Sequence, residues 1–108
     1  MRLHFDEQHV QDVPQEPGIF TLWDSQDLVY IGRTAPRSNL KEELAHALTM
    51  AMAEDLMATH FAYEVSVSPK TRASEELRAY FENWGRLPRY NGVSSVHARG
   101  EAALLRAR

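Results

Sequence analysis

The chain has 108 residues, 44% of them hydrophobic and 25% charged, with no cysteine and a formal net charge of −3. This length and balance suit one globular domain and argue against a disordered chain. The missing cysteines exclude disulfides and thiolate zinc sites, and the negative charge opposes a strong nonspecific hold on nucleic acid.

Residues 1–16 are polar and lead into Val13-Pro14-Gln15-Glu16-Pro17, where two prolines forbid a helix interior, so an extended entry is expected. Met1–Glu7 contains no apolar signal region and no run reaches membrane-spanning length, which makes a cytoplasmic protein with no membrane partner the expectation. Ile19–Trp23 and Leu28–Ile31 read as strands joined through Asp24-Ser25-Gln26-Asp27, an antiparallel hairpin with a four-residue loop. Arg33–Ser38 is a loop.

A helix is expected from Asn39, whose side chain can cap the first turn with Glu42 three residues on. Leu40, Leu44, Ala47, Leu48 and Ala51 recur at helical spacing and form its buried stripe. Met50, Met52 and Met57 are read as core filling, with a partner groove as the alternative. Phe61–Val67 alternates as a third strand with one buried face. Ser68-Pro69 opens a second helix running to Trp84, with Gly85 as its left-handed stop and Pro88 beyond. A loop then leads to a short final helix over Glu101–Arg106. The order β-β-α-β-α gives an α+β domain with a three-stranded antiparallel sheet flanked by helices. Its core spans about 13–92, with 93–108 as a C-terminal extension, and no repeat or linker marks a second domain.

Gly18-Ile19-Phe20 and Tyr30-Ile31-Gly32, at this spacing and followed by Pro88-Arg89-Tyr90-Asn91, resemble the signature of the GIY-YIG nucleases. The match covers roughly Pro17 to Asn91, and the order of elements agrees with it. The resemblance implies a GIY-YIG endonuclease-like fold and metal-dependent hydrolysis of DNA phosphodiesters, in a small stand-alone member that is either active or degenerate. Under it Tyr30 is the catalytic hydroxyl that positions or deprotonates water, and Asn91 supports the site. Phe20 stands where the family carries its first tyrosine and has no hydroxyl to contribute.

The family's helix arginine is also missing. Its aligned position falls in Lys41-Glu42-Glu43, and an acid there repels phosphate. Arg33 and Arg37, just before the helix, are either catalytic substitutes or solvated loop residues, and Lys41 is a weaker candidate. One carboxylate of the second helix should hold a single divalent ion such as Mg²⁺. Glu76 is favoured, with Glu75 as the neighbouring choice; each is otherwise a surface glutamate. His46 is a candidate general base if its helix turns it toward the cleft, and a surface histidine otherwise. From Gly85 to Arg108 five arginines face one acid, so Arg86 and Arg89 are the candidate nucleic-acid contacts, with plain surface decoration as the alternative.

Two functions therefore stand side by side. One is a DNA endonuclease. The other is a degenerate module that keeps the scaffold and binds nucleic acid or a protein partner without cutting.

Overall fold

The structure, a computed structural model, describes residues 1–54 and 56–92. The final helix expected at Glu101–Arg106 and the extension from 93 onward lie outside the described residues. Seven elements follow in order: β1 (Leu3–His4), α1 (Glu7–Gln11), β2 (Gly18–Asp24), β3 (Asp27–Arg33), α2 (Leu40–Glu54), β4 (His60–Val65) and α3 (Pro69–Trp84). The architecture is α+β, with one antiparallel sheet in the order β1-β4-β2-β3.

The sheet has four strands, not the three expected. The extra strand, β1, pairs Leu3 with Phe61 and His4 with His60. Two residues give no alternation to read, and β1 exists only because the edge of β4 supplies its partners. The polar entry likewise holds a helix, α1, capped by Asp6, which accepts the His9 N–H at 2.9 Å. Phe5 and Val10 are buried in the main core, Phe5 edge-on to Phe61 with ring centroids 5.8 Å apart. The core therefore begins before residue 13.

The hairpin is tighter than expected. Its ladder continues to Asp24 opposite Asp27, leaving only Ser25 and Gln26 between the strands. Ser25 takes the left-handed conformation this demands (φ 57°), and its N–H is held by Thr59 Oγ1 at 2.7 Å. A register shift between Leu22 and Trp23 makes Val29 an extra residue on β3, a β-bulge. Val29 and Tyr30 consequently enter the same core cluster although they are adjacent.

The two sheet faces carry different helices. Phe20, Leu22, Val29, Tyr30 and Phe61 pack with Leu40 and Leu44 of α2. Ile31 and Leu28 pack with Leu77 and Tyr80 of α3 on the other face. The Asn39 half of the expected α2 cap forms, Asn39 Oδ1 accepting the Glu42 N–H at 2.9 Å, and Leu40, Leu44 and Ala51 are buried. Met52 and Met57 are exposed, which corrects their reading as core filling; Phe5, Val10 and Leu56 belong to the main core instead. Gly85 ends α3 at φ 71°, its N–H bonded to the Phe81 carbonyl at 2.7 Å.

Candidate functional site

The two signature glycines of the hairpin are fixed by crowding. A Cβ on Gly18 would lie 2.2 Å from the Glu64 carbonyl oxygen. One on Gly32 would lie 2.4 Å from Phe20 Cζ and 2.7 Å from Tyr30 Cε2. The absent side chain at 32 thus makes room for two rings, Phe20 and Tyr30, whose centroids are 6.0 Å apart. Ile19 and Ile31 are buried in the strands beside them.

Strand register separates the expected catalytic groups. Tyr30 is opposite Leu22, whereas Arg33 is opposite Ile19, three residues away and therefore on the other face. Tyr30 belongs to the α2 core and is 7% exposed. Arg33 is half-buried on the α3 side of β3, and its Nε has no hydrogen-bond partner among the described residues. Arg37 is exposed in the loop with φ 68°, the left-handed region, and His46 is exposed on α2.

The two candidate metal carboxylates share one cation. Arg72 forms a bidentate pair with Glu64 (Nε to Oε2 2.7 Å, Nη2 to Oε1 2.8 Å). It also donates Nη1 to Glu75 at 3.0 Å and Nη2 to Glu76 at 3.3 Å. Arg72's hydrogen bonds hold the Glu64 carboxyl below its ordinary value, and those of Glu64 and then Glu75 push the Arg72 guanidinium above its own. Glu76 also lines a shallow groove with Ile19, Phe20, Thr21, Ala62, Tyr63 and Glu64. A divalent ion bound by Glu75 or Glu76 would have to displace the guanidinium or share the carboxylates with it, so this set does not fit the ion the resemblance implies. Among the described residues no three His, Cys, Asp or Glu side chains are arranged to hold a metal.

Asn91 has a different task. It is 3% exposed, and its Oδ1 accepts the Ile31 N–H at 2.8 Å while its Nδ2 donates to the Ile31 carbonyl at 2.9 Å. The side-chain amide takes the place of a neighbouring strand residue on the outer edge of β3. Tyr90 continues the closure, donating its N–H to the Val29 carbonyl at 2.9 Å and accepting the Met57 N–H on its hydroxyl at 3.1 Å. Pro88-Arg89-Tyr90-Asn91 thereby seals one edge of the sheet.

The candidate nucleic-acid arginines are engaged within the domain. Arg89 pairs with Asp27 at 3.1 Å and lies 3.9 Å from Asp24, at the hairpin turn. Its guanidinium is held above the ordinary value by the Tyr90 hydroxyl first and then by Asp27 and Asp24. Arg86 lies over the Tyr80 ring at 5.8 Å and donates to the Leu87 carbonyl.

Two important residues escaped the sequence reading. Arg72 gives no motif signal, though its i+3 and i+4 spacing to Glu75 and Glu76 is visible in the chain. Thr34 is buried and accepts the Gly18 N–H on Oγ1 at 3.1 Å while its own N–H bonds the Gly18 carbonyl at 3.0 Å. Its partner is sixteen residues away, so nothing local marks it.

No family model matches the chain, and no curated protein or solved structure matches it. Among the described residues no helix is long and apolar enough to cross a membrane.

Proposed function

We propose that this chain is a GIY-YIG-like domain that serves as a protein-binding module and does not cut DNA. The observation that carries this reading is Arg72, which bridges Glu64, Glu75 and Glu76 and places a cation where a metal-dependent nuclease needs one for its metal. Three further features support it. Phe20 brings no hydroxyl, Tyr30 sits on the opposite sheet face from Arg33, and Asn91 is engaged in closing β3. A protein partner is favoured over DNA because Arg89 is neutralised by Asp24 and Asp27, Arg86 rests on Tyr80, and the net charge is −3.

The second reading, a Mg²⁺-dependent endonuclease, draws on the groove that brings Glu76 beside Phe20. The separating experiment incubates supercoiled plasmid and branched DNA with the purified protein in Mg²⁺ or Mn²⁺, with EDTA and Tyr30→Phe controls. The binding-module reading expects no nicking above the EDTA control. Metal-dependent nicking abolished by Tyr30→Phe would replace it with the endonuclease.

A further inference from the structure

Histidines from three elements meet where β1, α1 and β4 join. Register sets His4 directly opposite His60, so the two imidazoles leave the same face of the sheet. Their ring centroids are 4.7 Å apart at an interplanar angle of 35°. His9 follows from α1, its centroid 6.0 Å from that of His4. His4 is exposed and His60 is half-buried.

Hydrogen bonds set which nitrogen carries the proton in two of these rings. An ionised Asp6 can only accept, so the 2.7 Å contact of its Oδ1 with His9 is donated by Nδ1–H. Thr59 Oγ1 gives its proton to the Trp23 carbonyl at 3.2 Å, so its 2.8 Å contact with His60 is likewise donated by the ring Nδ1–H. Neutral His60 therefore keeps Nε2 as a bare lone pair. Neither ring nitrogen of His4 has a hydrogen-bond partner among the described residues. Metal-binding imidazoles are set in this way, one nitrogen held by a protein acceptor and the other left bare.

We propose that His4 and His60 together bind one divalent transition-metal ion such as Zn²⁺ between β1 and β4. Imidazole suits such ions, whereas Mg²⁺ takes oxygen ligands. With metal–nitrogen bonds of about 2.0–2.1 Å, two imidazoles on one tetrahedral ion have centroids about 5 Å apart. The pair already stands at that separation, and the change needed is in the tilt of the exposed His4 ring. His9 stays on Asp6 and the three rings form no three-ligand set, so water completes the coordination. The charges beside the pair are Arg2 and Asp6. Arg2 is engaged with the Trp23 ring at 4.2 Å and with the Ser25 carbonyl, and the Asp6 carboxyl is held below its ordinary value by its hydrogen bonds with His9 and then by His4. β1 meets β4 at only two positions, so the ion clips the N-terminal strand to the sheet. The site uses none of the carboxylates that Arg72 bridges, and the inference stands whether or not the domain cuts DNA.

The test titrates Zn²⁺ into the full chain by calorimetry, beside His4→Phe, His60→Phe and His46→Ala, with circular dichroism to confirm folding. Phenylalanine keeps a ring at the cross-strand contact and removes the ligand nitrogen. The native chain should bind one Zn²⁺ that excess Mg²⁺ does not displace, and its thermal midpoint should rise with Zn²⁺. Each phenylalanine variant should bind at least ~tenfold more weakly. His46→Ala, which removes an exposed histidine of α2, should match the native chain. In the native chain, ring ¹⁵N shifts should move at His60 Nε2 and not at its Nδ1, a readout that decides the matter even where a variant fails to fold. A native chain that binds no Zn²⁺ overturns the proposal. So does binding that either folded phenylalanine variant retains, a loss that His46→Ala shares, or coordination through His60 Nδ1.

Discussion

Replacing Asn91 by alanine removes both hydrogen bonds that close the edge of β3 at Ile31, at 2.8 and 2.9 Å. Ile31 and Asn91 are each 3% exposed, so water cannot readily replace the lost amide. Leaving a buried donor or acceptor unpaired costs about 1–3 kcal/mol, so two such groups, partly relaxed, should cost roughly 2–4 kcal/mol. Against the ~5–15 kcal/mol stability of a domain this size, that is a large fraction. Urea unfolding followed by tryptophan fluorescence would read the loss as a lower midpoint at unchanged slope. Asn91→Asp sharpens the reasoning: at neutral pH its second oxygen faces the Ile31 carbonyl and repels it, whereas a protonated carboxyl can donate there. Asn91→Asp should therefore be at least as unstable as the alanine variant at pH 7 and recover relative to it as pH falls through the carboxyl's titration. A loss below about 0.5 kcal/mol in Asn91→Ala, the range of ordinary surface substitutions, would refute the edge-closing role.

Gly32→Ala should destabilise by about 1–3 kcal/mol through overlap with Phe20, and Phe20→Leu in the same chain should recover part of that loss in urea unfolding. Thr34→Val removes the Oγ1 acceptor of the buried Gly18 N–H and should cost about 1–3 kcal/mol by the same assay. Because Arg72 lowers the Glu64 carboxyl from 4.5, this pair contributes stability that is complete above about pH 4.5 and lost as pH falls through the lowered value. Arg72→Ala should flatten that segment of the pH–stability curve, measured by thermal unfolding between pH 3 and 6, and an unchanged acid limb would count against the pairing.

Most of the fold was legible where local chemistry dictates it. Asn39 with Glu42, the stripe from Leu40 to Ala51, and Gly85 behind α3 each announce their element through capping or periodicity. β1 was not legible, because two residues carry no period and their pairing depends on β4. The tight hairpin was also hidden: Asp24 and Asp27 resemble turn residues, yet the ladder incorporates both. At the candidate site the motif located Gly18, Gly32, Tyr30 and Asn91, but roles followed from contacts that spacing cannot show. Asn91 meets Ile31 across sixty residues, and Arg72 reaches back to Glu64 on β4 as well as along its own helix. The internal partners of Arg86 and Arg89 were not legible, because Asp27 lies far away in sequence and an aromatic ring such as that of Tyr80 carries no charge signal.

The most direct test of the account follows the amide signals of Glu75 and Glu76 by NMR as Mn²⁺ is added to the folded protein. With Arg72 engaging their carboxylates, broadening should be no stronger at these positions than at Glu42, an exposed acid of α2. Selective, saturable broadening at Glu75 or Glu76 that Mg²⁺ reverses would show a metal site there, and would contradict the claim that the guanidinium occupies its place.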